Sequence, residues 1–138
     1  MSKKGNVYIS KHPDDSPNWY WVTGLHDACI TNVEELEFPF DYNKFIRQKN
    51  EYDRNVLILT IDAKNALFDQ KVKEIRLFNY KILNCDEIFK KHKSAWWLGD
   101  ELYKENEQYL LDIDLCDTDN CAIEYSFKIK FERAEVDR

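Results

Sequence analysis

From residue 123 onward apolar and polar side chains alternate without a break. Ile123, Tyr125, Phe127, Ile129 and Phe131 stand against Glu124, Ser126, Lys128, Lys130 and Glu132. A period of two sustained over this stretch predicts a half-buried strand. Upstream, Tyr109, Leu111, Ile113 and Leu115 alternate with Leu110, Asp112, Asp114 and Cys116, which predicts a second strand. Between them Cys116-Asp117-Thr118-Asp119-Asn120-Cys121 is turn chemistry, so the pair reads as a hairpin. Both strands carry their apolar residues at odd positions. Pairing Ile113 with Ile123 or with Tyr125 satisfies that parity and leaves a loop of about three residues, a common hairpin length. Either register points Cys116 to the polar face and Cys121 to the apolar face, so the two thiols are expected neither to bond nor to share a metal. Either register also sets Glu124 against Asp112 or Asp114, a like-charge pair that destabilises a sheet.

The run 56–61 is apolar but for Thr60 and rich in β-branched residues, which predicts a strand covered on both faces. Residues 72–82 read as one more strand. Its apolar positions switch from odd (75, 77) to even (78, 80, 82), suggesting a bulge or bend near Leu77. Shorter strands are expected at 7–9, 19–22 and 28–33. Residues 96–103 fit a strand, although Trp97, Asp100, Glu101 and Lys104 would also suit a helical turn. The short helices are expected at 41–48 and 85–91. The whole predicts a single mainly β domain over residues 1–138, an antiparallel sandwich or curled sheet of about seven strands with one or two short helices.

Composition adds limits. With 43% hydrophobic and 14% aromatic residues, the chain of 138 residues can bury a core and is too apolar to be disordered. Three Gly and three Pro leave no flexible linker. The start, Met1-Ser2-Lys3-Lys4, is not followed by an apolar segment of the signal-peptide kind, and no run approaches a membrane span. The expectation is therefore a cytoplasmic protein, with no membrane as partner. In that compartment Cys29, Cys85, Cys116 and Cys121 are expected to be free thiols. Their spacing matches no zinc pattern, and no cofactor or metal is expected.

Charge is distributed unevenly. Residues 100–124 hold nine acids against Lys104 alone, a net of −8, while the whole chain carries −6. Such acidity argues against nucleic acid, for which the cluster Lys90-Lys91-His92-Lys93 is too short. The acids are either solvated and neutralised by Lys73, Arg76, Lys128 or Lys130, or they present a surface to a basic protein. The candidate partner-binding residues are accordingly Asp112, Asp114, Asp117, Asp119 and Glu124. They do not form a calcium loop, because no start at Asp112 or Asp114 places Gly at the sixth position. Trp96 and Trp97 join them as candidates, since consecutive aromatics on a strand cannot both face one core. The same holds for Trp19-Tyr20-Trp21, and exposed aromatics can anchor a protein or stack on a sugar. His26-Asp27 is the only adjacent His–carboxylate pair, and without a nucleophile motif it reads as a structural turn. His12 and His92 have no evident partner. No catalytic residue is proposed, and an enzyme ranks last.

Leu25-His26-Asp27-Ala28-Cys29-Ile30, with a Trp a few residues earlier, resembles the opening of small bacterial all-β proteins of unknown function. In these a Leu-His-Asp-(Ala/Ser)-x-Ile segment leads into antiparallel strands, and some are immunity-protein-like, encoded beside toxins. The resemblance spans residues 19–33 and, more loosely, 131–136, while the stretch 41–54 departs from it. It implies no catalytic residues. Residues and resemblance together lead to a non-catalytic protein-binding domain, an antitoxin or immunity-type protein presenting its acidic face (100–124) to a basic partner. The alternative is a small-ligand or carbohydrate-binding module using exposed Trp and Tyr.

Overall fold

The computed structural model describes residues 7–9, 25–41, 52–64, 72–105 and 107–137. The strand expected at 19–22, its Trp19-Tyr20-Trp21 cluster, and nearly all of the helix expected at 41–48 lie outside the described residues. Among the described residues nine strands and one helix follow in chain order: β1 (Val7–Ile9), β2 (Cys29–Glu37), β3 (Asn55–Asp62), β4 (Glu74–Phe78), β5 (Lys81–Asn84), α1 (Glu87–His92), β6 (Ala95–Glu105), β7 (Gln108–Asp117), β8 (Glu124–Phe131) and β9 (Arg133–Asp137). All pairings are antiparallel. One sheet runs β5-β8-β7-β6-β2-β3-β4-β9, with β1 beside β6. The mainly β, antiparallel fold is as the alternation implies.

Nearly every strand of this sheet sends side chains to one core. Ile30, Leu57, Leu59, Ile75, Leu77, Trp97, Leu102, Leu111, Ile113, Phe127, Ile129 and Ala134 belong to it. A flat sheet of eight strands could not bring these residues together, so the sheet curls around them, without closing into a barrel. The run 56–61 is covered on both sides, as its composition requires. Leu57, Leu59 and Ile61 point inward, while Val56 and Ile58 pack with Phe78 in a second cluster under Leu36 and Phe40.

Residues 72–82 are not one bulged strand. Only Asn79 and Tyr80 separate β4 from β5, yet the two strands stand near opposite ends of the sheet. The switch of apolar phase at Phe78 marks a corner. Asn79 takes a left-handed backbone (φ 56°), which Asn tolerates better than most residues. Its side chain ties the corner, accepting from the Arg54 amide at 2.7 Å and donating to Glu132 at 2.9 Å. Glu132 is itself the single residue between β8 and β9. Phe78 pairs with Arg133 and Lys81 with Lys130, three residues on in one segment and three back in the other. The β4–β9 and β5–β8 ladders thus share one register, bent at a common corner, and the linked segments tie the two ends of the sheet together.

The β7–β8 hairpin has the expected parity but a longer loop. Ile113 faces Phe127, Leu115 faces Tyr125 and Cys116 faces Glu124, leaving residues 118–123 as the connection. That register overturns the expected thiols. Cys121 sits in the loop, where strand parity does not apply, and forms a disulfide with Cys116 (Cα–Cα 4.9 Å). Cys29 and Cys85 are free. The register also moves Glu124 from the position expected opposite Asp112 or Asp114, since it faces Cys116 while Asp112 faces Lys128 and Asp114 faces Ser126. The stretch 96–103 is a strand rather than a helical turn. The helix expected at 85–91 is α1, whose first turn Asp86 caps by accepting from the Ile88 amide at 2.8 Å.

Candidate functional site

The outward face of β6, β7 and β8 is laid out by the even residues of β7 and their cross-strand neighbours. Trp96, Cys116 and Glu124 form one row, Gly99, Asp114 and Ser126 the next, and Glu101, Asp112 and Lys128 a third. Asp112 is satisfied. It accepts from Ser126 Oγ at 2.8 Å and has the Lys128 ammonium 3.8 Å away. Glu101 accepts from the Tyr103 hydroxyl. Asp114 has neither a cation nor a donor among the described residues. Partial burial pushes its carboxyl above the ordinary value, and Asp112, Glu101, Glu124 and Asp100 push it further. Beside it Gly99 contributes no side chain, and an added Cβ there would meet nothing within 4 Å.

The other predicted residues separate from this face. Asp117 continues the odd, inward phase of β7 and is buried, hydrogen-bonded to His92 Nδ1 at 2.9 Å. His92 therefore does have a partner, which a separation of 25 positions hid. Asp119 lies in the loop, where its carboxylate, that of Asp117 and the His92 ring have ligand atoms within 4.8 Å of one another. A His–Asp–Asp set has metal-compatible chemistry, but here the His92–Asp117 hydrogen bond already accounts for the geometry, joining the end of α1 to the disulfide loop. Trp97 is fully buried and donates its indole N–H to Asp100 at 3.0 Å, while Trp96 is only half-buried on the outward face. One of the two was expected to be partly exposed; strand parity decides which, Trp97 facing the core residue Leu115 and Trp96 facing Cys116.

The His26–Asp27 pair is a turn, with Asp27 in the left-handed region (φ 71°) and its amide bonded to the Trp97 carbonyl at 2.8 Å. Both side chains are exposed and 3.1 Å apart, while Leu25, Ala28 and Ile30 of the same segment enter the core. The motif is an anchoring turn.

A cavity of about 730 Å³, which no single stretch of sequence announces, opens between β2, β5, α1 and β8. Phe89 and Phe127, in edge contact with centroids 5.0 Å apart, form its floor with Val33 and Ile82. The Cys85 thiol lines it and is pushed up by burial, so it is a poor nucleophile. Above the floor the walls are charged with both signs. The signal for it was scattered over four elements, and only the apolar Phe89 in a basic helix hinted at a packed underside.

No helix among the described residues is long and apolar enough to cross a membrane. The disulfide is of a kind that non-reducing compartments preserve, whereas the cytoplasm tends to reduce it. Compared with known proteins, the chain matches no family model, no curated protein and no solved structure.

Proposed function

We propose that the protein is a non-catalytic protein-binding domain whose outward β6–β7–β8 face receives a basic partner. The supporting observation is Asp114, a carboxylate among four acids with no cation beside it among the described residues and open space at Gly99. Such an arrangement costs stability in the free protein, and a partner's Lys or Arg entering beside Gly99 would relieve it. Trp96 offers an aromatic anchor two strands from Glu124 in the same face. Asp117 and Trp97 are buried and not part of this surface, while the exposed Asp119 lies in the adjoining loop. The resemblance at Leu25–Ile30 favours a bacterial antitoxin or immunity-type protein, with the toxin as the basic partner. A cytoplasmic setting would go with that role, while the disulfide favours a non-reducing one. The carbohydrate reading loses Trp97 to the core, and no observation on this face favours it over a protein.

The test is affinity capture from the cells that make the protein. A basic protein should be retained, and its retention should fall as salt rises, since screening acts over about 8 Å at physiological ionic strength. Asp114→Lys and Glu124→Lys should abolish capture, and Glu37→Lys, on β2, should not. Capture that survives both charge reversals would remove the acidic face from the function.

A further inference from the structure

Beyond Ile30, β2 has a strand beside it on one side only. β6 pairs with it at Cys29 and Ile30 and no further among the described residues, because the chain upstream of Ala95 turns aside at Lys93, the left-handed cap of α1 (φ 56°). β3 covers the other side as far as Glu37. Backbone groups along an antiparallel strand point to alternate sides. The Phe38 amide donates to the Arg54 carbonyl at 2.9 Å, on the β3 side. The groups of Leu36 and Glu34 therefore serve β3, and those of Glu35 and Val33 point away from it. Val33 and Glu35 meet no backbone partner there among the described residues.

The cavity of about 730 Å³ lies along this open edge, lined by Asn32, Val33, Glu34 and Glu35 in succession. Neighbouring side chains of a strand face opposite ways. Val33 packs on the main core and Glu35 accepts from the Tyr80 hydroxyl, whereas Leu36 joins the outer cluster, so Glu34 also faces outward. A cavity touched by all four thus meets β2 at its edge and not at one face. Opposite stands Ile82 of β5, the terminal strand of the sheet, over the buried Phe89 and Phe127. Lys93, two residues before the partner of Ile30, marks the Asn32 end of the edge. Its ammonium has no side-chain partner among the described residues.

We propose that this groove receives an extended segment of another protein, which adds to β2 as an antiparallel strand. The main chain of the segment pairs with the groups of Val33 and Glu35. Its side chains opposite those two residues share their face of the sheet and rest on Phe89, Phe127 and Ile82. The segment lies in the line that β6 abandons, so its C-terminal end approaches Lys93, and charge complementarity asks for a carboxylate there. The partner is accordingly a strand with apolar residues at alternate positions and an acid after them. The groove uses no residue of the acidic face on β6, β7 and β8, and the proposal stands whether or not that face binds a protein.

Calorimetric titration of the intact chain with acetyl-Thr-Val-Thr-Val-Thr-Asp-amide tests this. The peptide should bind. N-methylation of its two Val amides, which face β2, should weaken it about thirtyfold, the loss of two main-chain hydrogen bonds. N-methylation of the two Thr amides that follow them, which face away, should leave affinity unchanged. Glu35→Pro removes one amide hydrogen from the edge and should weaken the peptide about fivefold, while Glu35→Gln keeps that hydrogen and should bind as the parent does. If Glu35→Pro fails to fold, the methylated peptides decide the matter on the parent protein. Lys93→Asn, chosen because Asn accepts the left-handed cap, should weaken the Asp-ended peptide and leave an Asn-ended one unchanged. Hydrogen exchange at the Val33 and Glu35 amides should slow when the peptide is added. Protection of both amides in the free chain would mean that the edge is already covered, and overturns the proposal. A dimer that Glu35→Pro disperses would give the edge to a second copy, and overturns it too. So does equal weakening by the two methylation patterns, or no binding of the peptide at millimolar concentration.

Discussion

Two outward faces of this sheet carry clusters of acids, and they are built in opposite ways. On β4 and β9 the acids Glu74, Glu135 and Asp137 surround Arg76, which is 1% exposed. Its guanidinium lies 2.5 Å from Glu74, 3.2 Å from Glu135 and 3.9 Å from Asp137. Next to it Arg133 pairs with the buried Asp53 at 2.7 Å and covers the Phe78 ring at 3.9 Å. On β6, β7 and β8 the acids Glu101, Asp112, Asp114 and Glu124 share one ion pair among the described residues, that of Lys128 with Asp112 at 3.8 Å across the hairpin. The first cluster is interior architecture and the second is surface. Acid count does not separate them; a buried guanidinium shared by several acids does.

The comparison can be broken at its strongest point by removing Arg76. Arg76→Met leaves Glu74 and Glu135 without their counter-charge and should cost about 3 kcal/mol in urea denaturation, as for other half-removed buried networks. A cost below about 0.5 kcal/mol would mean that the two faces do not differ energetically. Cys121→Ser should cost about 2 kcal/mol, because the disulfide restrains the short loop that carries Asp117 and His92's contact to it. Thiol counting on denatured, unreduced protein should correspondingly find two free thiols, Cys29 and Cys85. Finding four would remove the restraint from the account.

The smallest expected effect lies on the acidic face. Asp114→Asn should leave stability equal or slightly higher at neutral pH. The sign follows from the raised folded value: the native state holds this proton more readily than the unfolded chain. Stability at this position is therefore lost as pH rises from the ordinary value of 3.8 through the raised one, and regained on acidification. The thermal midpoints of Asp114→Asn and the parent protein should accordingly converge below that ordinary value. A variant less stable than the parent at neutral pH would show that Asp114 has a stabilising role and is not an unrelieved charge. Asp112→Asn should instead destabilise slightly, since Asp112 has Ser126 and Lys128 as partners.

Alternation made the strands of the hairpin legible, along with their inward faces, because a buried face imposes period two whatever the loop does. Its register was not legible. A three-residue loop is common, but here the disulfide holds a longer one, and a cysteine in a loop obeys no strand parity. The same parity places Asp117 inward, so its separation from Asp112 and Asp114 was readable in principle. Asp114 and Glu124 were recognisable as a face; the bare flank at Gly99 needed β6 set beside β7. The phase switch at Phe78 was visible, but a bulge and a corner leave the same trace in one strand. Only the β9 and β5 pairings distinguish them. The cavity and the His92–Asp117 bond depend on residues brought together by tertiary structure, and no local pattern encodes them.

The shared corner of Asn79 and Glu132 has a bearing on the order of assembly. β6, β7 and β8 are successive hairpin neighbours, able to pair as soon as each is synthesised. β4 must wait for β9, since Glu74 meets Asp137 and Phe78 meets Arg133. Contacts of such separation form slowly because a long loop must close before they return any energy. During translation the earlier strands β3 and β4 therefore emerge with one edge open, and the sheet's ends are tied only after residue 137 is available.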